Sequence, residues 1–214
     1  KLDQLADGSG FEWMGRRRCR EMVVMALTAL HLLRLQGWTI SDADIQAGMA
    51  ATQWRGRMQW MDWQGHRLLI DGAHNPAGAA ALRHYVDGCD RMPAPITWVM
   101  GMIGTKDHAD VFRALLRAGD RLYLVPVPEH SPVDLEKLAA LAVENGAEPE
   151  LIHLHSDLWT ALEAAFLSRS APDAVGTTSE GTAPSVVLCG SLYLIGHFLK
   201  RCSRFGDQPP SSEP

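Results

Sequence analysis

The pattern of apolar positions changes character after residue 53. Over residues 20–36, Met22, Ala26, Ala29, Leu30 and Leu33 recur at three- and four-residue intervals, the spacing of one helix face, and Gly37 follows where a left-handed C-cap is needed. Ser41 then heads DADIQAGMA, an N-cap hydroxyl with Asp42 and Asp44 in the first turn, where negative charge meets the positive helix end. The two segments predict an αα-hairpin. Beyond it, short apolar runs rich in β-formers alternate with helical stretches. The candidate strands are 58–63, 67–71, 96–101, 121–127, 151–154 and 185–190, and the candidate helices are 76–87, 107–117, 133–145, 157–168 and 191–202. The helix at 76–87 carries its own start signal, Asn75 as cap and Pro76 in the first helical position. A tight Gln64-Gly65 turn pairs the first two strands as a hairpin.

This alternation predicts an α/β fold, a Rossmann-like, mostly parallel sheet with helices on both faces, preceded by the helical hairpin. The stretch 170–184, rich in Ser, Thr, Gly, Pro and Ala and without periodicity, reads as a surface loop, and the tail 204–214 as disordered. There is no internal repeat.

At 214 residues, 46% apolar and 21% charged, the chain can bury one substantial core plus a smaller appended piece. A net charge of -5 weighs against a nucleic-acid or acidic-membrane partner, so anionic ligands must be met by local cations. Cys19, Cys89, Cys189 and Cys202 stand apart, without the spacing of a disulfide framework or a zinc site, which fits a reducing, cytoplasmic location. No apolar run is long enough to span a bilayer, and the first residues lack the layout of a signal peptide. The sequence opens without Met in what reads as mid-domain sequence, the expectation for a fragment.

In open parallel sheets, ligands bind beyond the carboxyl ends of the strands, where the following helices point their free N–H groups. Three strand ends here carry unusual residues. RLLIDGAHNP ends a strand in Asp71, then two small residues that permit close backbone approach, then His74. ITWVMGMIGTKDH places Lys106 in a glycine-containing loop, where an ordinary loop lysine is the competing reading. SVVLCGSLYLIGHFL breaks a strand at Gly190 and starts a helix with Ser191, which can cap that helix, receive a carboxylate, or do both. Upstream, TQWRGRMQW sets Trp54 and Arg57 at the entry to the first strand, and a guanidinium there can clamp phosphate oxygens through two parallel hydrogen bonds.

Together these segments resemble the folylpolyglutamate and dihydrofolate synthase family of the Mur-ligase superfamily. WRGRMQW is similar to the family's W-P-G-R-x-Q, LLIDGAHNP to D-G-A-H-N-P, and CGSLYLIGHFL to the closing G-S-L-Y-L-x-G, so the resemblance spans roughly residues 20–200. It implies a remnant of the central ATP-binding domain over 1–53 and the C-terminal glutamate-ligase domain over 54–203. It also implies a ligase that adds L-glutamate to folate or dihydropteroate with ATP and Mg²⁺, through an acyl phosphate. By position, Arg57 is expected on the ATP phosphates and Asp71 on the ribose hydroxyls. His74 is expected near glutamate and the transferring phosphate, with Ser191, while Lys106 resembles a loop lysine that holds the amino acid. Arg57, His74 and Lys106 are then the catalytic cations.

Two departures stand out. Arg55 replaces the proline of W-P-G-R, and MGRRRCREM stands where the family has G-x-H-Q-x-x-N, so no residue is assigned to adenine. No G-x-x-x-x-G-K-[ST] phosphate loop occurs in the 214 residues. The family carries that loop, and most metal contacts, in an N-terminal domain, which becomes the expected partner, and the chain alone is expected to be inactive. The alternative is a non-catalytic fragment that binds a nucleotide or a partner chain. A hydrolase built on Ser191 and His74 lacks the second glycine of a nucleophile elbow. A metal site at His153 and His155 competes with two ordinary strand histidines.

Overall fold

The computed structural model describes residues 17–52, 54–104, 107–131, 133–168 and 185–205. They fall into two compact units that divide between Arg55 and Gly56, two residues beyond the boundary read from the sequence.

The first unit is the helical hairpin. Helix α1 (Arg17–Leu35) ends on Gly37 at φ 95°, with Trp38 N donating to the Leu33 carbonyl and Gly37 N to that of Arg34, the paired bonds of a Schellman cap. Helix α2 (Asp42–Ala50) begins with a full capping box: Asp44 N donates to Ser41 Oγ, and Ser41 N donates back to the Asp44 carboxylate. Arg34 ties the two helices through a 2.8 Å ion pair with Asp42. Val24, Met25, Leu32, Leu35 and Trp38 remain exposed.

The second unit is a six-stranded sheet in the order β1-β2-β6-β3-β4-β5. Its strands are β1 (Gln59–Trp63), β2 (His66–Ile70), β3 (Thr97–Met100), β4 (Arg121–Leu124), β5 (Ile152–Leu154) and β6 (Val186–Cys189). Only the β1–β2 hairpin is antiparallel; the other pairings are parallel. The central strands are apolar without interruption because successive side chains feed two different cores. Leu69, Trp98, Met100, Leu122, Leu124, Val187 and Cys189 pack on one face under α3 (Pro76–Asp87), α4 (His108–Leu115) and α5 (Leu135–Glu144). Leu68, Ile70, Val99, Tyr123, Val186 and Leu188 pack on the other under α6 (Leu158–Leu167) and α7 (Leu192–Phe205).

All six expected strands and all seven helices are present, with ends shifted by a few residues. Helix α7 continues through Phe205, two residues into the segment expected to be disordered; the rest of that segment, and the loop expected at 170–184, lie outside the described residues. Among the described residues no helix is long and apolar enough to cross a membrane.

Strand order builds a crevice. The chain leaves β2 for a helix on the first face, leaves its neighbour β6 for a helix on the second, and leaves β3 for the first again. Loops that part in opposite directions leave a gap at the carboxyl end of β6, where such sheets take their ligands.

Candidate functional site

That gap is where the segments of interest meet. β2 ends in Asp71-Gly72-Ala73-His74 and β6 in Gly190-Ser191, and the two ends are tied by Asp71 N donating to the Leu188 carbonyl at 3.0 Å and Gly190 N to that of Ala73 at 3.0 Å. The Arg57 loop joins them, since Gly72 N donates to the Gly56 carbonyl at 2.9 Å. Gly72 packs closely: a Cβ there would lie 2.2 Å from Leu192 Cδ2, so the exposed leucine side chain would have to turn aside, and 3.7 Å from Arg57 Cζ. Arg57, Asp71, His74 and Ser191, far apart in number, therefore share one rim of the sheet.

Asp71 is buried, and both its oxygens are already engaged. Oδ2 accepts from Met58 N at 2.9 Å and Oδ1 from Ala73 N at 2.7 Å, so the carboxylate clamps the Arg57 loop to the His74 loop. Met58, next to Arg57, holds a left-handed φ of 45°, a conformation the clamp helps to fix. Burial pushes the Asp71 carboxyl above the usual carboxylate range, opposed by the Met58 N–H, the Arg57 guanidinium, the Ala73 N–H and His74. A raised folded-state value means this group favours folding when protonated. Its contribution is full at low pH and is lost as pH rises through the folded-state value. Denaturation midpoints taken across the acidic range should show that slope in the wild type and not in Asp71→Asn. Equal slopes would mean that the burial is relieved by solvent.

His74 is half-buried and its Nδ1 lies 2.8 Å from the Gly72 carbonyl. A carbonyl only accepts, so the proton sits on Nδ1, and Nε2 is left for a ligand, with no partner among the described residues. Ser191 is buried beneath the first turn of α7; its Oγ accepts from Tyr193 N at 3.2 Å, which leaves its hydroxyl proton to donate. Capping and carboxylate binding are compatible at this residue. Ser191 bonds to Tyr193 and His74 to Gly72, so the two do not form the nucleophile–base pair a serine hydrolase needs. Nor does the neighbouring thiol serve as a nucleophile: burial, and then the Asp71 charge, push Cys189 far up. Lys106 lies outside the described residues.

The donor set, a guanidinium, an imidazole and the N–H ends of α3 and α7, suits a nucleotide phosphate or a carboxylate. No group of three or more His, Cys, Asp or Glu side chains lies together among the described residues. His153 and His155 instead pack on the Tyr123 ring at 4.7 and 5.5 Å. Burial, then the neighbouring His155 and Arg121 charges, lower the proton affinity of His153.

A family model described as dihydrofolate synthetase, C-terminal domain, matches residues 57–201. The chain belongs to that family. A folylpolyglutamate synthase of Lacticaseibacillus casei is 29% identical over 181 residues, which cover 85% of this chain and 37% of that protein. A probable dihydrofolate synthetase of Schizosaccharomyces pombe is 27% identical over 173 residues, covering 80% of this chain and 39% of its own length. Among solved structures, Mycobacterium tuberculosis folylpolyglutamate synthase complexed with ADP and AMPPCP aligns with a TM-score of 0.62 at 26% identity, covering 82% of this chain and 37% of that one. The chain thus spans less than two-fifths of each of these proteins and corresponds to the C-terminal portion of the folylpolyglutamate and dihydrofolate synthases. The matched span begins at Arg57 and contains Asp71, His74 and Ser191.

His130 is absent from the motifs that carried the sequence reading. The loop after β4 brings it to the same end of the sheet, with its ring 4.0 Å from that of Tyr193. A histidine one residue beyond a Pro-Glu pair gives no sequence signal for this, because the contact joins segments more than sixty residues apart.

Proposed function

We propose that this chain forms the glutamate-ligating side of an ATP-dependent ligase that adds L-glutamate to folate or dihydropteroate, a cytoplasmic enzyme completed by a phosphate-loop-bearing portion. The observation that carries the reading is the convergence of Arg57, His74 and Ser191 on one rim, with Asp71 holding the first two loops together. The relatives named above, one a folylpolyglutamate synthase and one a probable dihydrofolate synthetase, support the substrate class and leave both acceptors in view.

The chemistry explains the cations. A carboxylate is a poor acyl donor, so an oxygen of the folate carboxylate attacks the γ-phosphorus, the bond to the β-phosphate oxygen breaks, and ADP leaves. The glutamate amine then adds to the carbonyl carbon, loses a proton, and phosphate departs as the amide forms. Nearly every participant is anionic, so catalysis is mostly positioning and charge neutralisation. In this reading Arg57 holds phosphate oxygens, and His74 faces the phosphate or the amino acid through Nε2. Ser191 receives a glutamate carboxylate, and Lys106 assists it. Magnesium would be held chiefly by the phosphate-loop-bearing portion and would supply neutralisation of phosphate charge. The exposed apolar residues of the helical hairpin fit a surface that packs against the remainder of such an enzyme.

The second reading is a non-catalytic fragment that binds a nucleotide or a partner chain. Co-purification with a phosphate-loop-bearing portion from the same family, followed by glutamate-dependent ADP release, separates the two. Under the ligase reading Arg57→Ala lowers kcat/KM roughly 100- to 1000-fold, the usual cost of removing one preorganised charge-stabilising group. Partner binding without glutamate-dependent turnover supports the second reading instead.

A further inference from the structure

Three segments converge above the first turn of α7. A Cβ placed on Gly101, at the end of β3, would meet Leu194 Cδ2 of α7 at 2.9 Å, the Val125 carbonyl oxygen at 3.0 Å and Val127 Cγ2 at 3.2 Å. Val125 and Val127, which follow β4, therefore lie beside the end of β3 and close to the first turn of α7. Glu129, at a left-handed φ of 62°, turns that loop, and the next residue, His130, lays its ring against Tyr193, with centroids 4.0 Å apart. Tyr193 is the residue whose backbone N–H donates to Ser191 Oγ. His130 is thus two contacts away from the serine assigned to a carboxylate, and it comes from a strand that contributes no other residue to the site.

The His130 ring is oriented for a particular kind of ligand. Its Nδ1 lies 2.9 Å from the Pro128 carbonyl, which fixes a proton on Nδ1. Nε2 has no partner among the described residues, and it can donate a hydrogen bond only when the ring is an imidazolium. A carboxylate stabilises that form through a charge-assisted contact, whereas a carboxamide can only donate to the neutral ring, a weaker contact that leaves it unprotonated. Tyr193 is exposed, so its phenol remains available beside the imidazole.

We propose that His130, backed by Tyr193, selects the side-chain carboxylate of the incoming amino acid while Ser191 receives the other carboxylate. This rests on the ligase reading and deepens it: the preferred substrate is a dicarboxylic amino acid, and His130 supplies the discrimination against its amide.

The test uses the full chain with histidine side chains labelled with ¹⁵N. L-glutamate should move the His130 Nε2 resonance toward the imidazolium position, and L-glutamine should not. The dissociation constant for glutamate should rise about tenfold in His130→Ala, the loss of one charge-assisted contact. Glutamine binding, which loses only a neutral contact, should be weakened by less. His130→Gln, which retains a neutral donor, should recover part of the loss. Glutamate binding that Ser191→Ala weakens and His130→Ala leaves intact overturns the assignment, as does the absence of any glutamate effect on His130. Inorganic phosphate is added to the same samples as an independent readout of His74. A phosphate response at His74 in the absence of a glutamate response leaves the ligase reading standing while this inference fails; no response to either removes both.

Discussion

Replacing Asp120 with alanine is expected to destabilise the sheet-bearing unit by about 3–5 kcal/mol, the cost of removing one member of a buried ion pair. Asp120 sits just before β4, at the end of the sheet opposite the candidate site. Its Oδ2 accepts from Arg83 Nη1 at 2.7 Å, Trp98 Nε1 at 3.0 Å and Arg117 N at 3.1 Å, and its Oδ1 accepts from Ile96 N at 2.9 Å. Arg83 is itself buried and, among the described residues, retains only the half-exposed carboxylate of Asp87 as an ion partner once Asp120 is gone. The indole N–H and the Ile96 N–H are left without their acceptor in the core, and each adds its own desolvation penalty. Urea unfolding of wild type, Asp120→Ala and Asp120→Asn would measure this, the asparagine being less damaging because it keeps the volume and one acceptor. A loss below about 1 kcal/mol for alanine would mean that water enters and satisfies the orphaned groups. The response of His74 to phosphate should persist in whatever fraction remains folded, because none of the four bonds reaches the site.

The second large effect is expected for Gly190→Ala. Gly190 has φ 100°, and a Cβ there would stand 2.6 Å from the Gly101 carbonyl oxygen and 2.7 Å from Met100 Cγ. The methionine can turn away, but the carbonyl belongs to a neighbouring strand end and cannot. Backbone strain at such a φ costs on the order of 1–3 kcal/mol, and overpacking adds about 1–3 kcal/mol more. The chain relieves part of this by moving the β6 end, which carries Ser191. Stability and ligand response should therefore fall together, unlike in Asp120→Ala. Gly104→Ala is the control, since a Cβ at that position meets nothing within 4 Å. Equal unfolding midpoints for the two variants would contradict the strain argument.

Much of this architecture is local and so was legible in the sequence. The cap at Asn75 and Pro76 sets the start of α3 at Pro76, because the asparagine side chain accepts from Gly78 N and the proline ring already holds a helical φ. Ser41 and Asp44 fix α2 in the same way. The uninterrupted apolar runs announced strands buried on both faces, and the Gln64-Gly65 pair announced the hairpin that β1 and β2 form. The motifs at Arg57, Asp71, His74 and Ser191 were visible because each combines small residues with a polar one at a strand end.

The role of Asp71 was less legible. A carboxylate at a strand end reads as a ligand-facing group, yet its two oxygens accept from Met58 and Ala73, and the former lies thirteen residues upstream. A ribose contact of the kind the resemblance implies would therefore share this side chain with the task of holding the Arg57 loop. Arg83 and Asp120 gave no sign either, since thirty-seven residues separate an ordinary helix arginine from an ordinary loop aspartate.

The sequence by itself determined the succession of elements, their caps and turns, and which residues could carry charge to a strand end, because these depend on neighbours within a few positions. Only the tertiary structure decided that β6 inserts between β2 and β3, that Ser191 thereby arrives beside Ala73, and that His130 reaches Tyr193. Parallel pairing is set by how two apolar faces are covered by helices from distant parts of the chain, and that competition among long-range contacts leaves no periodic trace in the order of residues.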